Sequence, residues 1–334
     1  MFITTMSMPA IQDLIKKSFV SETFRPAGDV RQLFHKETGD WSSDRKRVQE
    51  VDRDRFAEQK VEGKGSVTRG ISQGYAKEII RKTISVRRVV SGEAYKALTA
   101  HGLAEYATQT ADDIIDKIEL DMRNFLGYGA GSSYTDNGGF TIDTTVGDGN
   151  PLFYTAHTLK NSATTYSNIL TGAPTISETA MEGAEDYFNY NVMDNNGQRI
   201  SMKANTIITS AKATMVNRVS RLFGSMSPEA IEGTANANAG IMNTYKNKYK
   251  HLVVEFDVTA LNVTDSTKSF YWFLAALGGS PEASFQSYYV SWLSPQVAPA
   301  TIDQDEWTLE YVARAAYGIG AVSGKGILVS LATS

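Results

Sequence analysis

The stretch TAHGLAEYATQTADDIIDKIELDMRNFL, residues 99–126, repeats apolar side chains at intervals of three and four residues. The repeated positions are Leu103, Ala107, Ala111, Ile114, Ile118, Met122 and Phe125. This spacing places them along one side of an α-helix about 40 Å long, with one buried stripe. Gly127 and Gly129 follow the last apolar residues and predict the end of the helix there.

The opposite side of this helix is acidic, with carboxylates at Asp112, Asp113, Asp116 and Glu119. Lys117 stands four residues after Asp113, and Arg123 four after Glu119, a spacing that favours ion pairs on an exposed helix surface. We therefore predict a solvated charged surface here and not a pair of carboxylates for acid–base catalysis.

Composition excludes several classes of protein. The chain has 334 residues, of which 42% are hydrophobic and 21% charged, enough for one elaborate domain or two. A formal net charge of -4 does not favour nucleic-acid recognition, and the absence of cysteine excludes disulfides and thiolate chemistry. No apolar run approaches about 18 residues and the N-terminus has no signal-peptide pattern, so neither a membrane span nor a membrane partner is expected.

Residues 44–64 carry many charges of both signs and few apolar side chains. Their basic residues are Arg45, Lys46, Arg47, Arg53, Arg55, Lys60 and Lys64, nearly balanced by acidic ones. Two interpretations stay open, a flexible loop and a two-stranded arm. Because an isolated hairpin is marginal in water, such an arm would need a neighbouring subunit to lie on.

The segment EIIRKTISVRRVV, residues 78–90, leads into the helix and predicts a strand. Its apolar face is formed by Ile80, Ile84, Val86 and Val90, at even intervals. Lys82 and Arg88 interrupt that face. They indicate either a solvated strand or ion pairs with the acidic side of the helix.

The other segments predict a mixture of helices and strands. In order, we expect an amphipathic helix over 8–20, a long irregular connection over 127–174, a helix with a Thr175/Glu178 capping box, a strand over 206–209, a helix capped by Ser210, and a strand-rich remainder. Strands and helices do not alternate regularly, so the predicted fold class is α+β.

No motif for catalysis is found. His35, His101, His157 and His251 are scattered, without the spacing of metal ligands. The run GIGAVSGKG has Ile319 where a phosphate-binding loop needs its first glycine, and GYGAGSS follows a helix where such a loop would precede one. We predict no catalytic residue, no cofactor and no metal, which favours a structural protein. An enzyme with a phosphate site at Lys325 is the alternative from another class.

Three stretches resemble the major capsid proteins of tailed bacteriophages, which have the Hong Kong 97-type fold. They are TISVRRVV leading to ADDIIDKIELDMRNFLGYG, DGNPLFYTAHTLKN, and EWTLEYVARAAYGIGAVSGKGILVSLA. The second is similar to Mu-like major head subunits, with Leu152, Phe153 and His157 at matching places.

This resemblance implies a division of the chain. It implies an N-terminal arm over 1–30, an extended loop over 31–75, a peripheral domain over 76–172 and 306–317 with a spine helix at about 99–126, and an axial domain over 173–305 and 318–334. Some members of the family crosslink subunits through a lysine of the extended loop. Lys60 and Lys64 lie there, but no motif indicates an acceptor or a catalytic carboxylate, so crosslinking is not predicted.

The resemblance also implies the function of a capsid protein without catalytic activity. Subunits would self-assemble into homo-pentamers and homo-hexamers of an icosahedral shell around double-stranded DNA, in a virion assembled in the host bacterial cytoplasm. Neighbouring capsomers, non-specifically bound DNA, and scaffold, portal and decoration proteins are the expected partners. Candidate inter-subunit contacts are Arg45, Arg47, Arg53, Arg55, Lys60, Lys64, Asp112 and Asp116. An encapsulin-type nanocompartment shell is the nearest alternative.

Overall fold

A computed structural model of the chain describes residues 29–53, 71–91, 100–200, 202–224, 243–278, 284–297, 301–303 and 308–333. The helix predicted over 8–20 lies outside these residues. Two compact units are present: the first draws on 1–46, 79–122 and 289–319, and the second on 47–78, 123–288 and 320–334. Both units are therefore discontinuous in sequence.

The elements up to residue 166 begin with a 3-10 helix, Asp29–Leu33. They continue with β1 (His35–Thr38), β2 (Arg45–Arg53), β3 (Ile71–Ile80), β4 (Lys82–Ser91), α1 (Ala100–Gly127), β5 (Ser133–Thr135), β6 (Thr141–Asp143), β7 (His157–Leu159) and β8 (Ser162–Tyr166). The remaining elements are α2 (Glu178–Asp186), a π-helical turn (Tyr187–Asn191), β9 (Thr206–Thr209), α3 (Ala213–Gly224), β10 (Lys250–Val253), β11 (Trp272–Ala275), β12 (Gln286–Val297), β13 (Thr301–Asp303), β14 (Thr308–Ser323) and β15 (Ile327–Ser330). Helices and sheets are mixed, which confirms the α+β class.

Helix α1 occupies the predicted stretch, displaced by one residue at each end. Ile114, Ile118 and Phe125 of the apolar stripe are buried, as the periodicity predicts. Gly127 ends the helix where a Cβ would lie 2.3 Å from the carbonyl oxygen of Phe256. The prediction of a single buried stripe is wrong, however, because polar side chains of the last turns are buried as well.

The first unit contains a five-stranded sheet in the order β1-β12-β14-β13, with β4 also paired to β14. Strand β4 runs antiparallel to β14 over ten residue pairs, from Lys82 opposite Tyr317 to Ser91 opposite Thr308. Its side chains alternate between exposed and partly or fully buried, as predicted. Ile80 departs from the prediction and is 50% exposed, because it belongs to β3 and Arg81 separates the two strands.

The second unit contains a four-stranded sheet in the order β10-β9-β11-β15. Strand β9 pairs in parallel with β10 and antiparallel with β11. All residues of β9, β11 and β15 are buried, and α2 and α3 contribute Met181, Met215 and Val219 to the same core. The uninterrupted apolar sequences of these strands are explained by burial on both faces.

Two local predictions are corrected. The connection over 127–174 is not wholly irregular, because it contains the antiparallel pairs β5–β6 and β7–β8. Helix α2 is capped by Ser177, whose side chain accepts a hydrogen bond from the Ala180 backbone N–H, and not by Thr175. Ser177 stands three residues before Ala180, the normal spacing for an N-cap hydroxyl.

Candidate assembly sites

Strands β2 and β3 pair as a two-stranded sheet, which supports the arm over the flexible loop. The side chains of β2 alternate, so that Val48 and Glu50 are buried while Arg47 is exposed. A charged side chain that shares the inward face with a valine indicates a buried polar contact and not a solvated arm throughout.

Glu50 meets two buried polar side chains of the second unit, Asn195 and Lys325, and we call these three residues the Glu50 triad. Lys325 Nζ donates to Glu50 Oε1 at 2.8 Å, and Asn195 Nδ2 donates to Glu50 Oε2 at 2.8 Å. Lys325 Nζ also lies 3.4 Å from Asn195 Oδ1. Gly74 allows this approach, because a Cβ there would lie 2.7 Å from Asn195 Nδ2 and 2.8 Å from Glu50 Oε2.

Strand β3 is held through a second set of contacts within the same unit. Lys77 pairs with Asp143 and donates to Thr145 Oγ1 at 2.6 Å, and Lys160 Nζ donates to the Gly74 carbonyl oxygen at 2.8 Å. Partial burial opposes ionisation of Asp143, but hydrogen bonds from Lys77 and Thr145 outweigh it and hold the pKa of the carboxyl below its usual 3.8. Both strands of the arm are therefore fixed at its base.

Asp121 of α1 is the centre of a buried charge cluster in the first unit. Its side chain is fully buried and accepts hydrogen bonds from Lys82 Nζ of β4 at 2.7 Å, from Lys117 Nζ at 2.9 Å and from the Tyr317 hydroxyl of β14. One carboxylate thus joins a helix to two neighbouring strands. The sequence pattern does not reveal this site, since Asp121 has no spacing motif of its own.

The acidic side of α1 forms ion pairs with residues from other elements. Glu119 is buried and lies 3.0 Å from Arg31, and Asp113 pairs with Arg88. Arg123 forms an ion pair with Glu255, at 3.0 Å. The expected contacts of Asp113 with Lys117 and of Glu119 with Arg123 stay predictions. Of the two interpretations of the basic strand β4, pairing with the helix is confirmed.

The candidate contact residues that the structure describes lie on two elements, β2 and α1. Arg45 and Arg47 are exposed, two residues apart on β2, and Arg53 lies near the end of the same strand. Asp116 is exposed and Asp112 half-buried, one turn apart on α1. Arg55, Lys60 and Lys64 lie outside the described residues. Their roles at subunit contacts stay predictions.

The enzyme alternative receives no support at Lys325. This lysine lies in the turn between β14 and β15, is buried, and donates to Glu50. Within the described ranges, no group of three or more His, Asp or Glu side chains could hold a metal ion. No helix in these ranges is long and apolar enough to cross a membrane.

The side chain of His157 is buried in the second unit. Its ring Nδ1 lies 2.9 Å from Asp148 Oδ2, and the ring stacks on Tyr166 at a centroid distance of 4.9 Å. Burial opposes ionisation of Asp148, but hydrogen bonds from His157 and Asn150 outweigh it and lower the pKa of the carboxyl below 3.8.

We expect the Asp148 interaction to be lost in acid. Because the pKa of Asp148 is lowered in the folded state, the ionised carboxylate stabilises the fold fully at pH values above its unfolded-state pKa. This stabilisation disappears as the pH falls through the folded-state pKa. Asp148→Asn should cost about 1.5–3 kcal/mol at neutral pH and flatten the dependence of stability on pH below about 4. Urea unfolding midpoints of both proteins between about pH 7 and 2 measure this. If the unfolding midpoints of the wild type and of Asp148→Asn changed with pH in the same way, the lowered pKa of Asp148 would be contradicted.

Sequence comparisons identify no relative, since no family model and no curated protein matches the chain. The structure is similar to the capsid structure of the cyanophage P-SCSP1u, with a TM-score of 0.53 and 10% identity over 92% of this chain and 88% of that one. A structure from Microbacterium phage Oxtober96 has a TM-score of 0.47 and 10% identity over 90% of each chain. The virus-like particle from Pyrococcus furiosus has a TM-score of 0.45 and 9% identity over 95% of this chain and 97% of that one.

The first of these similarities is sufficient to assign the fold. It extends over most of both chains, so it includes both units and is not limited to one common motif. The chain has the fold of a phage capsid protein, which confirms the fold expected from sequence. The narrower Mu-like group and the predicted domain boundaries stay predictions.

Proposed function

We propose that this protein is the major capsid subunit of a bacteriophage, which self-assembles into pentamers and hexamers of an icosahedral shell around double-stranded DNA. The observation that carries the proposal is the capsid-protein fold extending over 92% of the chain. Catalysis has no part in this function. Scaffold, portal and decoration proteins are further proposed partners, and the virion is the proposed location.

The arm and α1 supply the proposed contacts between subunits. On β2, the inward face is fixed by Glu50, whereas Arg45 and Arg47 remain exposed on the other face. Asp116 gives α1 an exposed negative charge. Complementary charges at such boundaries set the relative register of subunits more than the affinity of one contact. Because a closed shell repeats each contact many times, weak interfaces can sum to a stable particle.

The test is assembly of the purified full-length protein, observed by negative-stain microscopy and light scattering over a series of salt concentrations, with and without a co-expressed scaffold. Closed shells or capsomer rings are expected. A protein that stays monomeric under every condition would contradict the proposal. Small closed particles that enclose protein cargo and no nucleic acid would favour the nanocompartment alternative instead.

A charge reversal tests the proposed α1 contact. Asp116→Lys should reduce particle yield at least tenfold while the circular dichroism spectrum and unfolding midpoint of the subunit stay unchanged, since exposed charges contribute little to folding. Glu182→Lys, an exposed reversal of the same size on α2, is the matched control and should assemble normally. Wild-type yield for Asp116→Lys would remove α1 from the proposed interface.

A further inference from the structure

The tip of the β5–β6 hairpin carries Asn137 followed by Gly138, a carboxamide next to an unhindered peptide nitrogen. We propose that Asn137 is a modification site that deamidates to aspartate and isoaspartate, with the carboxylate of Asp136 as the general base. The chain contains one other Asn–Gly pair, Asn196–Gly197, in different surroundings. The two pairs therefore offer a comparison within one protein.

The tip is a tight turn that is open to solvent. The Gly139 N–H donates to the Asp136 carbonyl oxygen at 3.0 Å, which closes a β-turn over residues 136–139. Asn137 and Gly138 occupy the two central positions of this turn, and both are exposed. Water therefore reaches the carboxamide and the peptide nitrogen that follows it.

Asp136 holds the hydrogen atom that the reaction must remove. Its Oδ1 accepts a hydrogen bond from the Gly138 backbone N–H at 2.9 Å and another from the Phe140 N–H at 2.9 Å. A carboxylate within about 2.6–3.2 Å of the donor atom is placed to act as the general base for that proton. Because Asp136 is only 6% exposed, few water molecules compete for this oxygen.

The reaction balances with water as the only co-reactant. Asp136 takes the proton of the Gly138 nitrogen as that nitrogen attacks the side-chain carbonyl carbon of Asn137, and the C=O π electrons move onto the oxygen. Asp136 then gives its proton to Nδ2, the carbonyl reforms, and ammonia leaves behind a five-membered succinimide. One water molecule adds to either ring carbonyl. Opening of the ring gives aspartate or isoaspartate, and the Asp136 carboxylate is unchanged.

The two glycines of the turn leave room for this ring. Apart from its chain neighbours, a Cβ added to Gly138 would meet nothing nearer than Asp136 Oδ1, at 3.4 Å, and no described atom would lie within 4 Å of a Cβ on Gly139. Gly139 also has a φ of 78°, which glycine adopts without strain. The turn can therefore deform as the ring closes without displacing a packed neighbour.

Asn196–Gly197 has the same sequence but is held differently. The Gly197 N–H donates to a backbone carbonyl oxygen at 3.1 Å, which is an acceptor but not a base at neutral pH. Asn196 Oδ1 accepts from Asn161 Nδ2 at 3.0 Å, which fixes the side-chain carbonyl group. A Cβ at Gly197 would lie 2.9 Å from Ser162 Oγ, so less space is available for a ring. Asn137 should therefore react first.

The modification would change the turn in two ways. Either product adds a negative charge beside Asp136, and like charges at this spacing repel each other. Isoaspartate also moves the Cβ of residue 137 into the main chain, so the turn becomes one backbone atom longer. The bond from the Asp136 N–H to the Phe140 carbonyl oxygen, now 3.0 Å, should then weaken. The inference does not depend on the proposed shell function, because the reaction needs only one folded subunit.

The experiment follows purified full-length protein during incubation at neutral pH in water enriched in heavy oxygen. Peptides are then prepared in ordinary water and sequenced by tandem mass spectrometry, so that heavy oxygen separates the reaction from deamidation during preparation. Residue 137 should become a mixture of aspartate and isoaspartate with one oxygen from the heavy water, while residue 196 stays an amide. Reaction at residue 196 with Asn137 intact, or no reaction at residue 137 after several weeks, would overturn the proposal.

Unfolded protein supplies the reference for this comparison. In concentrated urea the contacts of both sites are lost, and each asparagine is still followed by glycine. Residues 137 and 196 should then react at similar rates, whereas residue 137 should be much faster in the folded protein. The same ratio of rates in folded and unfolded protein would contradict an effect of the fold.

A substitution of Asp136 tests the base. Asp136→Asn keeps an oxygen that can accept from the Gly138 and Phe140 N–H groups but removes the carboxylate. Reaction at residue 137 should slow about a hundredfold, the lower end of the usual contribution of a positioned general base. Hydrogen exchange of the Phe140 amide checks that the turn is kept. Asn196→Ser is the control and should react at residue 137 at the wild-type rate. A rate in Asp136→Asn equal to or above that of the wild type would contradict the proposal.

Discussion

Replacing Asp121 with alanine should lower the free energy of unfolding by about 3–5 kcal/mol. The carboxylate is completely buried and accepts hydrogen bonds from Lys82, Lys117 and Tyr317. Lys117 can turn towards solvent, because 21% of its side chain is already exposed, whereas Lys82 is only 8% exposed. The variant therefore leaves a buried ammonium without this carboxylate, which is the costly part of breaking a buried ion pair.

Chemical denaturation of the unassembled subunit measures the effect. Asp113→Ala is the matched control, because the pair of Asp113 with Arg88 is substantially exposed and should contribute about 0–1 kcal/mol. The double variant Asp121→Ala/Lys82→Met removes both charges and should be more stable than Asp121→Ala alone. A cost below about 1 kcal/mol for Asp121→Ala would show that water solvates Lys82.

Gly326→Ala should destabilise the second unit by about 3 kcal/mol, the upper part of the usual range for overpacking. A Cβ at this position would lie 2.2 Å from the Phe285 backbone nitrogen and 2.4 Å from its Cα. These backbone atoms cannot move freely, because the Phe285 N–H donates to the Ala276 carbonyl oxygen, while the Ala276 N–H donates to the Gly326 carbonyl oxygen. Relieving the clash would break this double contact.

Gly183→Ala is the control for the same chemical change. Gly183 lies within α2, where a new Cβ would meet only Leu170 Cδ1, at an ordinary 3.7 Å. Alanine restricts the unfolded chain more than glycine, so this variant should gain about 0.5–1 kcal/mol. The midpoints of thermal and urea unfolding should both fall for Gly326→Ala and both rise for Gly183→Ala. Equal shifts would contradict the steric assignment.

The sequence predicts best those elements whose burial follows from the local spacing of apolar residues. Apolar residues at helical spacing locate α1 to within one residue at each end, and the buried sequence TIIT locates β9. Burial of Glu119 and Asp121 could not be predicted, because it depends on Arg31 and Lys82, which are distant in sequence and come close only in the folded unit.

The contacts of the arm were likewise predictable only where they depend on local sequence. The charge balance of residues 44–64 indicates an arm or a loop, and the pairing of β2 with β3 supports the arm within the described part of this stretch. The role of Glu50 depends on Lys325, 275 residues away, and the glycine-rich sequence around Lys325 indicates a phosphate site and not a carboxylate partner. One signal was available: Glu50 lies two residues after Val48, so both side chains point to the same face of a strand.

The short connection between β3 and β4 has a mechanical consequence. Strands β3 and β4 are separated only by Arg81, so tension applied along the arm reaches β4 at Lys82. There the ten residue pairs of the β4–β14 ladder and the Lys82–Asp121 ion pair bear the load together, in shear. They cannot open one after another, so a force applied along β3 has to overcome the whole ladder and the ion pair at once.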